Sequence, residues 1–162
     1  MEKELTLFGE DASNLIGGLG EIIAWDILRK MGIRTYKIGT WNFFSKGYPH
    51  FRDKELAFLT TTQAEFVEKK EESGITEFDF VGIKAMNSFD ISFAGSEGEV
   101  GEVYLIEVKT GRGANIRHYA KNPIRAFSPE NLEKAKAIGF KVALVVVELL
   151  ENWKCRISYR EV

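Results

Sequence analysis

The run Val142-Ala143-Leu144-Val145-Val146-Val147 limits more than any other feature how this chain can fold. It is far shorter than the roughly 20 apolar residues of a membrane span, and its length suits a strand. Side chains alternate across a strand, so an unbroken apolar run needs cover on both faces. A strong helix start precedes it, Ser128-Pro129-Glu130. Ser caps the free N–H groups, Pro suits the first turn, and Glu meets the positive end of the helix dipole. A helix from there to about Gly139, leading into a strand over Lys141–Leu149, predicts an α/β fold with a mixed central sheet flanked by helices.

At 162 residues, with no repeat, low-complexity tract or Pro/Ser-rich linker, the chain reads as a single domain over 1–162. Asp11 or Ser13 can cap a first helix running to Gly32, with Leu15, Leu19, Ile22, Ile23 and Ile27 as its apolar stripe. Arg34–Ile38 reads as a short strand, Trp41–Phe51 as an aromatic-rich loop and Lys54–Glu72 as a helix, so that about 41–74 forms an inserted segment. Further strands are expected at Phe78–Ile83, Phe89–Phe93, Val103–Lys109 and Cys155–Arg160, with a turn at Gly95, Gly98 and Gly101. No apolar run reaches membrane length, and the acidic start MEKELTLFGED lacks the layout of a signal peptide. A single cysteine, Cys155, excludes an internal disulfide framework and a four-cysteine metal site. The default expectation is a cytoplasmic protein with no membrane partner.

Net charge is −2, which argues against a non-specific nucleic-acid coat. The distribution of charge says more. Between Asp53 and Glu107 there are 13 acidic residues against four lysines. From Thr110 to Pro129 there is no carboxylate, while Arg112, Arg117, Lys121 and Arg125 fall there. An acidic cluster followed by a basic loop suits a metal site beside a phosphate-binding surface.

Within LIEVKTGRG, alternation puts Val103, Leu105, Glu107 and Lys109 on one strand face and Tyr104, Ile106 and Val108 on the other. In a covered strand, a carboxylate and an ammonium two residues apart are costly unless something binds them. In FDFVGI, Asp79, Val81 and Ile83 share a face, and two neighbouring strands can bring Asp79 and Glu107 within reach of one cation. Hard oxygen ligands suit Mg²⁺, with Mn²⁺ able to substitute. Lys109 would orient a water or stabilise charge on phosphorus. Glu21 lies in GGLGE beside Gly17, Gly18 and Gly20, each costing about 1 kcal/mol relative to Ala in a helix. Such glycines suit a helix packed closely on a sheet, with Glu21 over the strand ends.

Other candidates carry less. Gly17-Gly18-x-Gly20 follows no strand and makes a poor phosphate loop. His50 and His118 lack metal-ligand spacing, although His118 lies in the basic loop within reach of phosphate. Trp41, Phe43, Phe44, Tyr48 and Phe51 could stack on bases, but aromatics at this density more often pack a core or a dimer contact, and Glu77 shares a face with Asp79 as a further ligand candidate.

Taken together, Glu21 in GGLGE, Asp79 in FDFVG and Glu107 with Lys109 in LIEVKTG resemble the PD-(D/E)xK nuclease superfamily, which includes archaeal Holliday-junction resolvases and many restriction enzymes. The resemblance implies a restriction-endonuclease-like αβββαβ core. It implies a metal bound by Asp79 and Glu107, with Val108 between Glu107 and Lys109 as a third ligand, Lys109 in catalysis and Glu21 supporting the metal or its water. It also implies a Mg²⁺-dependent endodeoxyribonuclease acting in DNA repair, recombination or defence, a homodimer, and a DNA backbone lying along Arg112, Arg117, Lys121 and Arg125. The alternative is a catalytically inactive nuclease-fold subunit that binds DNA or assembles a complex. Phe78 stands where the family carries proline, and the segment from Trp41 to Gly74 is longer than a minimal resolvase has.

Overall fold

The computed structural model describes residues 13–38, 59–72, 77–85 and 100–162. Its elements in chain order are α1 (Ser13–Lys30), β1 (Ile33–Lys37), α2 (Thr61–Glu72), β2 (Phe80–Ala85), β3 (Val100–Gly111), α3 (Gly113–Lys121), a 3₁₀ turn (Pro123–Ala126), α4 (Pro129–Ala137), β4 (Lys141–Leu149) and β5 (Cys155–Glu161). The strands form one sheet in the order β1-β2-β3-β4-β5. Only the β3–β4 pair is parallel, and its crossover carries α3 and α4. The chain is an α/β protein whose mixed five-stranded sheet is flanked by helices. Among the described residues, no helix is long and apolar enough to cross a membrane.

The double-sided apolar run behaves as its sequence requires. Every residue of β4 from Val142 to Glu148 is buried. Val142, Leu144 and Val146 join a core with Val67 of α2, Ile116 of α3 and Leu132 and Ala135 of α4. Ala143, Val145 and Val147 face the other way, into a core with Ala24 and Leu28 of α1. Ser128 caps α4 as expected, its side chain accepting from the Asn131 N–H, and Gly32 and Gly139 close their helices with positive φ.

Four expectations are corrected. Ser13 is the first residue of α1 and does not precede it. The residues α1 turns most fully into the protein are Gly18, Gly20, Ala24 and Leu28, whereas Leu19 is 39% exposed. Gly20 and Ala24 let the helix backbone approach the sheet, and the stripe residues Leu15, Ile22, Ile23 and Ile27 are only partly buried. The segment after Lys109 is no loop: Ile116, Tyr119 and Ala120, at helical spacing, pack α3 onto the sheet. Strand β2 starts at Phe80, which leaves Asp79 at its mouth rather than inside it. The expected strand at Phe89–Phe93, the turn glycines 95 and 98, the aromatic loop Trp41–Phe51 with His50, and Asp11 lie outside the described residues.

A Cβ on Gly20 would stand 2.6 Å from the Cβ of Thr110 on β3, closer than real Cβ atoms come. The Cβ of Thr110 is fixed by the β3 backbone, so no change of rotamer moves it aside. Gly20→Ala therefore sets a helix-propensity gain of about 1 kcal/mol against an overpacking cost of about 1–3 kcal/mol. The expected result in urea unfolding is a net loss of stability. An increase would show that α1 does not sit this close to β3.

Candidate metal centre

Strand β3 runs past the end of β2. Their last pair is Phe80 with Ile106, and beyond it Glu107–Gly111 pair only with β4. Asp79 sits where the next rung would be. Its N–H donates to the Ile106 carbonyl (2.8 Å) and its own carbonyl accepts from the Ile38 N–H (2.9 Å), which pins its backbone from both sides. The side chain then takes over the ladder, and Oδ2 accepts from the Val108 N–H at 2.7 Å. In a strand the N–H and C=O of one residue point to the same side. The Val108 carbonyl is thus directed toward the same mouth as the Asp79 carboxylate.

Glu107 is buried, with 5% of its surface exposed. Its Oε1 accepts from Lys109 Nζ at 2.5 Å, while Oε2 is buried with no hydrogen-bond donor among the described residues. Burial pushes the Glu107 carboxyl well above the usual range; the negative charge of Asp79 adds to this, and Lys109 only partly opposes it. Lys109 feels the opposite balance. Burial disfavours its ammonium, but Glu107 and Asp79 outweigh that and hold its pKa above the ordinary lysine value. The group at this position is a cation, suited to charge stabilisation rather than to proton abstraction.

Glu21 reaches this region through a residue that the sequence reading passed over. Lys37, the last residue of β1, is 4% exposed, with Nζ 2.8 Å from Glu21 Oε2 and 3.3 Å from Asp79 Oδ1. The ammonium also lies 5.3 Å from the centre of the Phe80 ring. Nothing in RTYK singles out this lysine. The only cue is alternation, which puts it on the face of Ile33 and Thr35, toward α1.

Asp79, Val108, Glu107 and Lys109 are thus gathered at one strand mouth, and Glu21 joins them through Lys37. Among the described residues, no group of three or more His, Cys, Asp or Glu side chains is placed to hold a metal. The donor set at the mouth is two carboxylates and a main-chain carbonyl. That set fits Mg²⁺, which commonly takes one or two carboxylates and keeps several waters. The orphaned Glu107 Oε2 fits it too, since a buried oxygen without a donor is what a cation would satisfy.

The remaining candidates are placed differently. Glu77 clasps the start of α4: its carboxylate accepts from the Ser128 N–H and from Asn131 Nδ2, and lies 3.2 Å from Ser128 Oγ. Here it acts as a capping group for α4. Arg117 donates through Nε to Glu148 Oε1 (2.7 Å), and Arg156 meets the other oxygen of this buried carboxylate at 3.0 Å. Its charge is therefore already engaged. Arg112 precedes α3, Lys121 ends it, and Arg125 lies in the 3₁₀ turn with Nη1 3.0 Å from His118 Nε2. All three are exposed.

No protein-family model matches the chain, and neither does any curated protein or any solved structure.

Proposed function

We propose that the chain is a Mg²⁺-dependent endodeoxyribonuclease of the PD-(D/E)xK type, with a restriction-endonuclease-like core and DNA as its partner. The observation that carries this reading is the buried Oε2 of Glu107, without a donor among the described residues, beside the Asp79 carboxylate and with the Lys109 ammonium alongside. Two neighbouring carboxylates, one of them buried and matched by Lys109 at a single oxygen, are costly in an ordinary core. The order α1-β1-β2-β3-α3-α4-β4 contains the α-β-β-β-α-β succession of that core, with α2 inserted after β1.

Asp79 and Glu107 would hold the cation, with the Val108 carbonyl as a third donor. When bound, the cation supplies Lewis-acid polarisation of the phosphodiester and a more acidic water. The chain's own groups do the rest. Lys109, held protonated, offsets the negative charge that builds on the phosphoryl oxygens as water attacks phosphorus and the bond to O3′ breaks, leaving a 5′-phosphate and a 3′-hydroxyl. Arg112, Lys121 and Arg125 offer exposed positive charge for the substrate backbone on the segment that follows Lys109, and Arg117 contributes only what Glu148 leaves uncompensated. A homodimer would present two such sites to a duplex.

The test is cleavage of circular, single-stranded and branched DNA with Mg²⁺ and with chelator, comparing the wild type with Lys109→Ala. Wild type should cut only with the metal, and the variant should be slower by about 10²–10³-fold, the usual loss when one charge-stabilising group is removed. If both are equally inert on every substrate, the enzyme reading fails and a DNA-binding or assembly subunit takes its place.

A further inference from the structure

Glu21 and Lys37 lie beside the proposed metal position and share Asp79 with it. Lys37 comes from β1, Glu21 from α1 and Asp79 from the mouth of β2, so three separate elements converge on one ammonium. The lysine is as buried as the core around it, while the Glu21 side chain is 12% exposed and that of Asp79 18%. Burying a lysine this completely is unfavourable unless carboxylates and an aromatic face surround it, as they do here.

The arrangement divides Asp79 between two jobs. Oδ1 faces Lys37, and Oδ2 accepts the Val108 N–H on the β3 side, where Glu107 lies. A carboxylate pair such as Glu21 and Asp79 would, without the lysine, be a second pair of hard oxygen donors next to the first. With Lys37 between them, the positive charge is already supplied by the chain.

We propose that Lys37 is a built-in cation that stands where a second divalent ion would bind, and so fixes this centre as one that takes a single metal. The inference rests on the metal reading of Asp79 and Glu107. It makes Lys37 a positioning residue: it acts on the metal through Asp79, whose carboxylate it orients, and it keeps Glu21 out of the metal's coordination shell.

The measurement is the number of Mn²⁺ ions bound per folded chain, by titration calorimetry and by electron paramagnetic resonance, for wild type, Lys37→Ala and Lys37→Arg. Wild type should bind a single ion. Lys37→Ala opens space between Glu21 and Asp79 and should take up a second, with a Mn²⁺-induced rise in unfolding temperature larger than that of wild type. Lys37→Arg keeps the charge and should return to one. Two ions in wild type would overturn the proposal, as would one ion of unchanged affinity in Lys37→Ala. The wild-type count applies even if Lys37→Ala does not fold. Binding of one ion by wild type with no gain in Lys37→Ala rejects the role of Lys37 alone, whereas no binding by wild type rejects the metal centre as well.

Discussion

Asp79→Asn is expected to lose Mg²⁺-dependent cleavage by about 10³-fold or more with the fold intact, whereas Asp79→Ala loses the cleavage and stability together. The rate loss corresponds to about 4 kcal/mol of transition-state stabilisation, within the several kcal/mol that a correctly held Lewis acid supplies. The difference between the two variants follows from what each Asp79 oxygen does. Oδ2 accepts the Val108 N–H at the point where β2 has ended, and an amide oxygen can do the same. Alanine offers nothing, leaving a strand N–H without its acceptor, which costs about 1–3 kcal/mol when buried. Both substitutions take a carboxylate from the buried Lys37, so that part of the penalty is common to them and the bond to Val108 sets the difference. Thermal or urea unfolding beside a cleavage assay separates the two effects. Equal activity in wild type and Asp79→Asn would remove Asp79 from the metal shell. Equal stability in Asp79→Asn and Asp79→Ala would show that its bond to Val108 carries no weight.

How much of this was legible beforehand depends on the distance over which each signal acts. The covered strand at Val142–Val147 and the cap at Ser128 are local and were read correctly, since an apolar run or a capping triplet means the same thing wherever it sits. The nearness of Asp79 to Glu107 was reachable because Asp79 leads directly into β2 and β2 neighbours β3. The exact rung was not, because β2 begins one residue after Asp79. Lys37 illustrates what stays hidden. Its meaning comes from Glu21, sixteen positions earlier, and Asp79, forty-two later, and no spacing in the chain announces that three elements will meet. Arg117 shows the same limit: in sequence it belongs to a carboxylate-free basic stretch, yet in the fold it meets Glu148, near the end of β4. The helix α3 was missed for a related reason. Gly111 and Gly113 suggest a loop, and the apolar spacing of Ile116, Tyr119 and Ala120 is too short to outweigh them without the sheet that it covers. On α1, the bulkiest side chains were expected inside. Close approach at Gly20 instead leaves the expected stripe partly buried and turns Ala24 and Leu28 inward.

Glu107→Gln is expected to make the metal-free protein more stable and the metal-saturated protein less stable than wild type. In wild type, burial and the neighbouring Asp79 charge raise the Glu107 carboxyl above its ordinary value of 4.5. The folded state therefore binds this proton more tightly than the unfolded chain does. Through this group stability falls as pH rises from 4.5 to the folded-state pKa, and the full penalty applies above it. A glutamine carries no charge at any pH. Its oxygen can still accept from Lys109, and its amide can donate toward Asp79. At neutral pH without metal the variant should gain about 1–2 kcal/mol, in the range found when a functional strain is relieved. The gain should shrink to nothing as pH is lowered to about 4.5. Metal reverses the order. At a Mn²⁺ concentration a hundredfold above its dissociation constant, wild type gains about 2.7 kcal/mol by mass action, and the variant, lacking one of two carboxylates, gains little. Urea unfolding with and without Mn²⁺ at neutral pH should therefore show the two curves exchange places. A variant that is less stable than wild type without metal would mean that Glu107 is an ordinary structural partner of Lys109. Equal stabilisation of both proteins by Mn²⁺ would place the ion elsewhere.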